Sequence, residues 1–95
     1  MDVEKANEIS TEVLEACTLE GGKLTLGEEQ FLAFGARIRD AEDKQGWATA
    51  LIALVQRLRG VQGAGAAAER ITALAALALG DADVGALLKR ERKGG

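Results

Sequence analysis

Leu19-Glu20-Gly21-Gly22-Lys23-Leu24-Thr25-Leu26-Gly27-Glu28 is the stretch on which the fold class turns. Upstream of it, over residues 2–19, Val3, Ala6, Ile9, Val13, Leu14, Ala16 and Cys17 recur at spacings of three and four. That spacing draws one apolar stripe along a helix, with Glu4, Lys5, Glu8, Glu12 and Glu15 on the other faces. Gly21-Gly22 then reads as the C-terminal stop, since glycine accepts the left-handed conformation that ends helices. Thr25-Leu26-Gly27-Glu28 reads as a capping box that opens the next helix. On this reading the chain passes from helix to helix with no strand between, and the whole molecule is all-α.

The rest of the chain extends the pattern. Phe31, Leu32, Phe34, Gly35 and Ile38 give the second helix an apolar side that ends near Arg39. Residues 40–46 are polar and fit a short helix, a turn or the frayed start of the third long helix. Trp47, Leu51, Leu54, Val55 and Leu58 mark that third helix, which Gly60 closes. Alanines lead into Ile71, Leu74, Ala75 and Ala78, and Gly80 stops that helix. Asp81 caps a last one carrying Val84, Leu87 and Leu88. Ser10-Thr11, two weak helix formers, predict a bend in the first helix. The expected architecture is a compact five- to six-helix bundle over residues 1–93, with Gly94-Gly95 beginning a linker or tail. Its expected core is Ile9, Val13, Phe31, Phe34, Ile38, Leu51, Leu54, Val55, Leu58, Ile71, Leu74 and Leu87, with Trp47 packed beside it.

Composition narrows the chemistry. At 95 residues, 47% hydrophobic and 28% charged, the chain is one globular domain. It has no histidine, which removes the usual general base near neutral pH, and a single cysteine, which rules out an internal disulfide. Cys17 falls on the apolar stripe and reads as a small hydrophobe. Gly63-Ala64-Gly65-Ala66-Ala67-Ala68 matches a dinucleotide fingerprint by letter, but helical residues precede it where that motif needs a strand. Asp81-Ala82-Asp83-Val84-Gly85 starts like a calcium loop and lacks the third ligand and distant glutamate. Catalytic residues, cofactors and metal ligands are therefore expected to be absent. The N-terminus Met1-Asp2-Val3-Glu4-Lys5 has no secretory pattern, and residues 71–79 are too few to cross a bilayer. A cytoplasmic protein without membrane contact is the expectation.

Charge is the informative feature. Residues 1–43 carry a net of −7 and residues 44–95 a net of +4, for −3 in all. An acidic chain argues against nucleic acid as the partner. Separated patches of opposite sign suit protein–protein recognition. The candidate acidic residues are Glu12, Glu15, Glu28 and Glu29, and the candidate basic ones are Arg57, Arg59, Arg90 and Arg92.

Over roughly residues 14–79 the chain resembles the death-fold superfamily, and within it a caspase-recruitment domain (CARD). Leu24-Thr25 followed by Glu28-Glu29-Gln30-Phe31 is similar to the family's Leu-Thr-x-Glu-Glu opening of helix two, with one extra residue pair before the glutamates. Asp43-Lys44, Leu51-Ile52 and Arg57-Leu58-Arg59-Gly60 are similar to its Asp-Lys, paired aliphatics and Arg-Gly, at a longer first gap. The resemblance implies a six-helix bundle with a bent first helix and no catalytic residues. It also implies like-with-like association of acidic and basic patches, as in the recruitment module at the front of a bacterial anti-phage (antiviral defence) or cell-death effector. Two other classes share the composition: a small helical phage or secretion adaptor or chaperone, and a small DNA-binding regulator.

Overall fold

A computed structural model describes residues 3–79. In chain order it runs α1 (Val3–Ala16), β1 (Cys17–Glu20), β2 (Lys23–Leu26), α2 (Glu28–Asp40), α3 (Lys44–Leu58) and α4 (Gly65–Leu79). Four helices and a two-stranded antiparallel sheet thus stand, among the described residues, where an all-α five- to six-helix bundle is expected. The helix expected after Asp81, with Leu87 in the core, lies outside the described residues.

The correction falls on the opening stretch. Gly21 and Gly22 adopt φ of +57° and +79°, both in the left-handed region. Two such residues in succession form the primed turn whose twist suits a two-residue hairpin. Cys17 pairs with Leu26, Thr18 with Thr25, Leu19 with Leu24, and Glu20 with Lys23. Opposed residues share a face, so Cys17, Leu19, Leu24 and Leu26 line one side, and Thr18, Glu20, Lys23 and Thr25 the other. The glycine pair therefore reverses two strands rather than merely ending a helix. Thr25 belongs to β2 and caps nothing. Gly27 is the N-cap of α2, without a side-chain bond. The Leu24-Thr25 element of the death-fold resemblance accordingly lies in a strand rather than at a helix start.

Elsewhere the helical stripes hold in part: Val3 and Leu14 of the α1 stripe and Leu32 of the α2 stripe are exposed. Residues 41–43 form the link between α2 and α3, and Asp43 caps α3 by accepting a bond from the Gly46 N–H at 2.9 Å. α3 is the central element, with Gly46, Trp47, Ala48, Ala50, Leu51, Leu54, Val55 and Leu58 all buried. It packs on α4 along one side and on α1 along another, while α2 and β2 reach the core chiefly through α4. Ser10 turns inward from an unbroken α1 and donates to the Ala50 carbonyl at 3.3 Å. Of the expected core, Ile9, Val13, Phe34, Ile38, Leu51, Leu54, Val55, Leu58, Ile71 and Leu74 are buried, and Phe31 is half-buried. Leu26 and the alanines 48, 50, 64, 67 and 75 join them.

The hairpin is fixed at both ends of β2. The Leu24 N–H donates to the Gly63 carbonyl at 2.8 Å, joining the hairpin to the α3–α4 loop. Gly63 sits at φ +85°, and a Cβ there would run into the Gly22 carbonyl. Arg70 of α4 donates to the Leu26 carbonyl at 3.1 Å while its guanidinium stands 5.6 Å from the Phe31 ring.

Candidate interaction surface

α1 buries Ile9, Ser10 and Val13 and turns a long polar side outward. Glu4, Asn7, Glu8, Thr11, Glu12 and Glu15 line a shallow, open groove of about 420 Å³ along that side. Steps of three and four residues place these side chains one turn apart, about 5.4 Å along the helix. Like charges four apart, as in Glu4, Glu8 and Glu12, each cost a helix about 0.2–0.5 kcal/mol. α1 carries this repulsion without basic residues in its last turn.

One arginine answers part of it. Arg37, in the last turn of α2, donates to Glu12 through both guanidinium nitrogens, Nη1 to Oε1 at 2.6 Å and Nη2 to Oε2 at 3.2 Å. The same guanidinium lies 5.5 Å from the Phe34 ring centroid and 5.1 Å from that of Trp47. Planar stacking together with a two-pronged carboxylate bond is a use to which lysine is unsuited. Arg37 thus ties α1 and α2 over the Trp47 end of α3, with its side chain and that of Glu12 about half exposed at 47% and 50%.

The expected site residues do not converge on one surface. Glu12 and Glu15 share the groove with Glu4 and Glu8. Glu28 and Glu29 are exposed in the first turn of α2 and do not line it. Arg57 is exposed in the last turn of α3, and Arg59 is that helix's exposed C-cap. Arg90 and Arg92 lie outside the described residues. Arg37 is absent from the residues expected on sequence grounds. Its position three residues after Phe34 is a local signal of stacking, but Glu12 is 25 residues away.

Other candidates find plain structural roles. Trp47 is buried at 8% exposure beneath Arg37. The Cys17 thiol is half-buried against the Val13 carbonyl at 3.4 Å, and burial pushes its pKa above the ordinary thiol value. Gly63-Ala64-Gly65 joins α3 to α4, so a helix precedes it and no phosphate-cradling strand–turn–helix is formed. Among the described residues no cluster of three or more histidines, cysteines and carboxylates is placed to hold a metal ion. Among the same residues no helix is long and apolar enough to cross a membrane. Comparison of the chain with protein-family models, with curated proteins and with solved structures returned no match.

Proposed function

We propose that the chain is a non-catalytic association module that joins a like domain through the acidic outer face of α1. The observation that carries this is the groove itself. Four glutamates, with Asn7 and Thr11 between them, form one continuous surface that the helix maintains against its own charge repulsion. The complementary surface is basic, and Arg57 and Arg59 at the far end of α3 offer it on a second molecule. Such a contact joins two different surfaces, so it propagates head to tail unless its rotation closes a ring.

A DNA-reading role is less well supported. The charged or hydroxylated side chains of α4 are Glu69, Arg70 and Thr72. Arg70 is turned to Leu26 and Phe31, and the Thr72 hydroxyl bonds the Ala68 carbonyl at 2.7 Å.

Sedimentation at low and high salt tests the proposal. Exposed charges are screened over about 8–10 Å at ordinary ionic strength, so association through this face weakens as salt rises. Reversing Arg57 and Arg59 to Glu should abolish the salt-sensitive species while leaving the helical signal intact. Glu8→Lys with Glu15→Lys in a second chain should restore mixed pairing, because it spares the Glu12–Arg37 bond. A sedimentation profile unchanged by salt and by both reversals removes this role.

A further inference from the structure

α1 and α3 lead to the same end of the molecule. The Ser10–Ala50 bond sets the middle of α1 beside the first half of α3, and the Glu12–Arg37 pair lies over Trp47. The hairpin that directly follows α1 is in turn bonded to the loop that follows α3. At the end where both helices start, Glu4, Glu8, Glu12, Asp40, Glu42 and Asp43 outnumber Lys5, Arg37, Arg39 and Lys44. At the end where both finish, exposed Lys23, Arg57 and Arg59 outnumber Glu20. The 15 residues of α3 separate the two ends by about 22 Å, more than twice the screening length of about 8–10 Å.

The dipole of α3 accounts for part of this polarity, since it favours Asp43 at one terminus and Arg57 and Arg59 at the other. It does not account for Lys23, which comes from a strand. The hairpin turn lies against the loop at residue 63: the position a Gly63 Cβ would take is 3.5 Å from the Lys23 Cα, and the Leu24 N–H donates to the Gly63 carbonyl at 2.8 Å. Lys23 is thereby added to the cations of α3. Glu20 stands opposite it in register, yet among the described residues neither Lys23 nor Arg57 holds an ion pair. Beside them Val61 is 52% exposed in a turn fixed on both sides. Its N–H donates to the Leu58 carbonyl at 2.9 Å, and its carbonyl accepts from the Ala64 N–H at 3.3 Å.

We infer that the hairpin turn and the α3–α4 loop form one composite docking surface, Lys23, Arg57 and Arg59 around Val61, whose occupant is the acidic α1 face of a second copy. Charge complementarity selects that occupant: Glu4, Glu8 and Glu15 line its groove, while Glu12 is held by Arg37. A fixed, exposed valine among cations supplies the apolar contact that charges alone lack. The inference rests on reading the chain as an association module and assigns the hairpin a part in it.

Lys23→Glu, followed by sedimentation of the whole chain at low salt, tests this against Lys44→Glu. Both change the net charge equally, but Lys44 lies in the first turn of α3, at the other end. Lys23→Glu should weaken association about three- to tenfold with unchanged helical circular dichroism, because it turns an exposed attraction into a repulsion. Lys44→Glu should not weaken it. Mixing the Lys23→Glu chain with one carrying Glu8→Lys and Glu15→Lys should restore pairing, and Val61→Ser should weaken association at high and low salt alike. Equal weakening by Lys23→Glu and Lys44→Glu makes the effect one of net charge and overturns the inference. If reversing Arg57 and Arg59 abolishes assembly while Lys23→Glu and Val61→Ser leave it intact, the composite surface falls and the acidic-face proposal stands. If neither salt nor any of these reversals changes the sedimentation profile, both fall.

Discussion

Replacing Arg37 with alanine removes three contacts at once, and their sizes can be worked separately. The Glu12 pair is about half exposed on both sides, which limits an ion pair to about 0.2–1 kcal/mol despite its two-pronged geometry. Cation–π contacts at exposed sites contribute about 0.5–1 kcal/mol each, and Arg37 makes two, on Phe34 and Trp47. Since one guanidinium cannot optimise both ring contacts and the carboxylate together, a loss of about 1–2 kcal/mol is expected. For a chain of this size that lowers Tm by roughly 4–8 °C per kcal/mol. Arg37→Lys keeps the charge but loses the fork and the plane, so it should retain less than half of the effect. Urea denaturation followed by circular dichroism gives the stability, and the fluorescence of the single tryptophan reports on the stacked guanidinium. A double-mutant cycle with Glu12→Gln isolates the ion pair, whose coupling should fade in about 1 M salt while the stacking remains. An Arg37→Ala midpoint equal to wild type, or a lysine variant indistinguishable from arginine, would refute the clasp.

The packing sets three more expected outcomes. Leu54→Ala, at a side chain 1% exposed in the central helix, should cost about 2–5 kcal/mol, and an unchanged denaturation midpoint would place that face of α3 on the surface. Gly22→Ala, at φ +79° with open space around it, should cost about 1–2 kcal/mol through backbone strain alone, and Gly22→Asn clearly less; equal costs would argue against the primed turn. Burial raises the Cys17 pKa, so the folded state favours the neutral thiol. Its contribution is complete below the unfolded thiol's pKa and is lost as pH rises through the folded one, a component of the alkaline stability curve that Cys17→Ala should abolish.

Helices are more legible in this sequence than the sheet, for a physical reason. α3 and the core face of α4 are long enough for a 3.6-residue stripe to be unambiguous, and Leu51, Leu54, Leu58, Ile71 and Leu74 are buried as their spacing requires. The hairpin is four residues a side, and two periods compete there. Val13, Leu14, Ala16 and Cys17 prolong a helical stripe, whereas Cys17, Leu19, Leu24 and Leu26 alternate by two about the glycine pair. Gly-Gly serves either outcome locally. What decides is tertiary: Leu26 is covered by the core, and Gly63 bonds the Leu24 backbone. The Thr25 capping box, a purely local motif, loses to that pairing. The acidic side of α1 is legible only in part, since charge patterning singles out Glu12 and Glu15 but not Glu4 and Glu8. The arginine that engages it comes from another helix, at a separation no local pattern encodes.

The bond between Leu24 and Gly63 also bears on the order in which the molecule forms. A two-residue turn lets the hairpin close locally, on a scale of about 1–10 μs. Its docking cannot be local, because Gly63 lies beyond both α2 and α3. The Ser10–Ala50 and Arg70–Leu26 bonds span 40 and 44 residues, so three fastenings close loops of similar length. Each depends on α3 or α4, or on the loop between them, already being in place. The α3–α4 pair is accordingly expected to form first, with the hairpin and α1 captured afterwards. Substitutions at Thr18 or Thr25 should alter the unfolding rate far more than the folding rate.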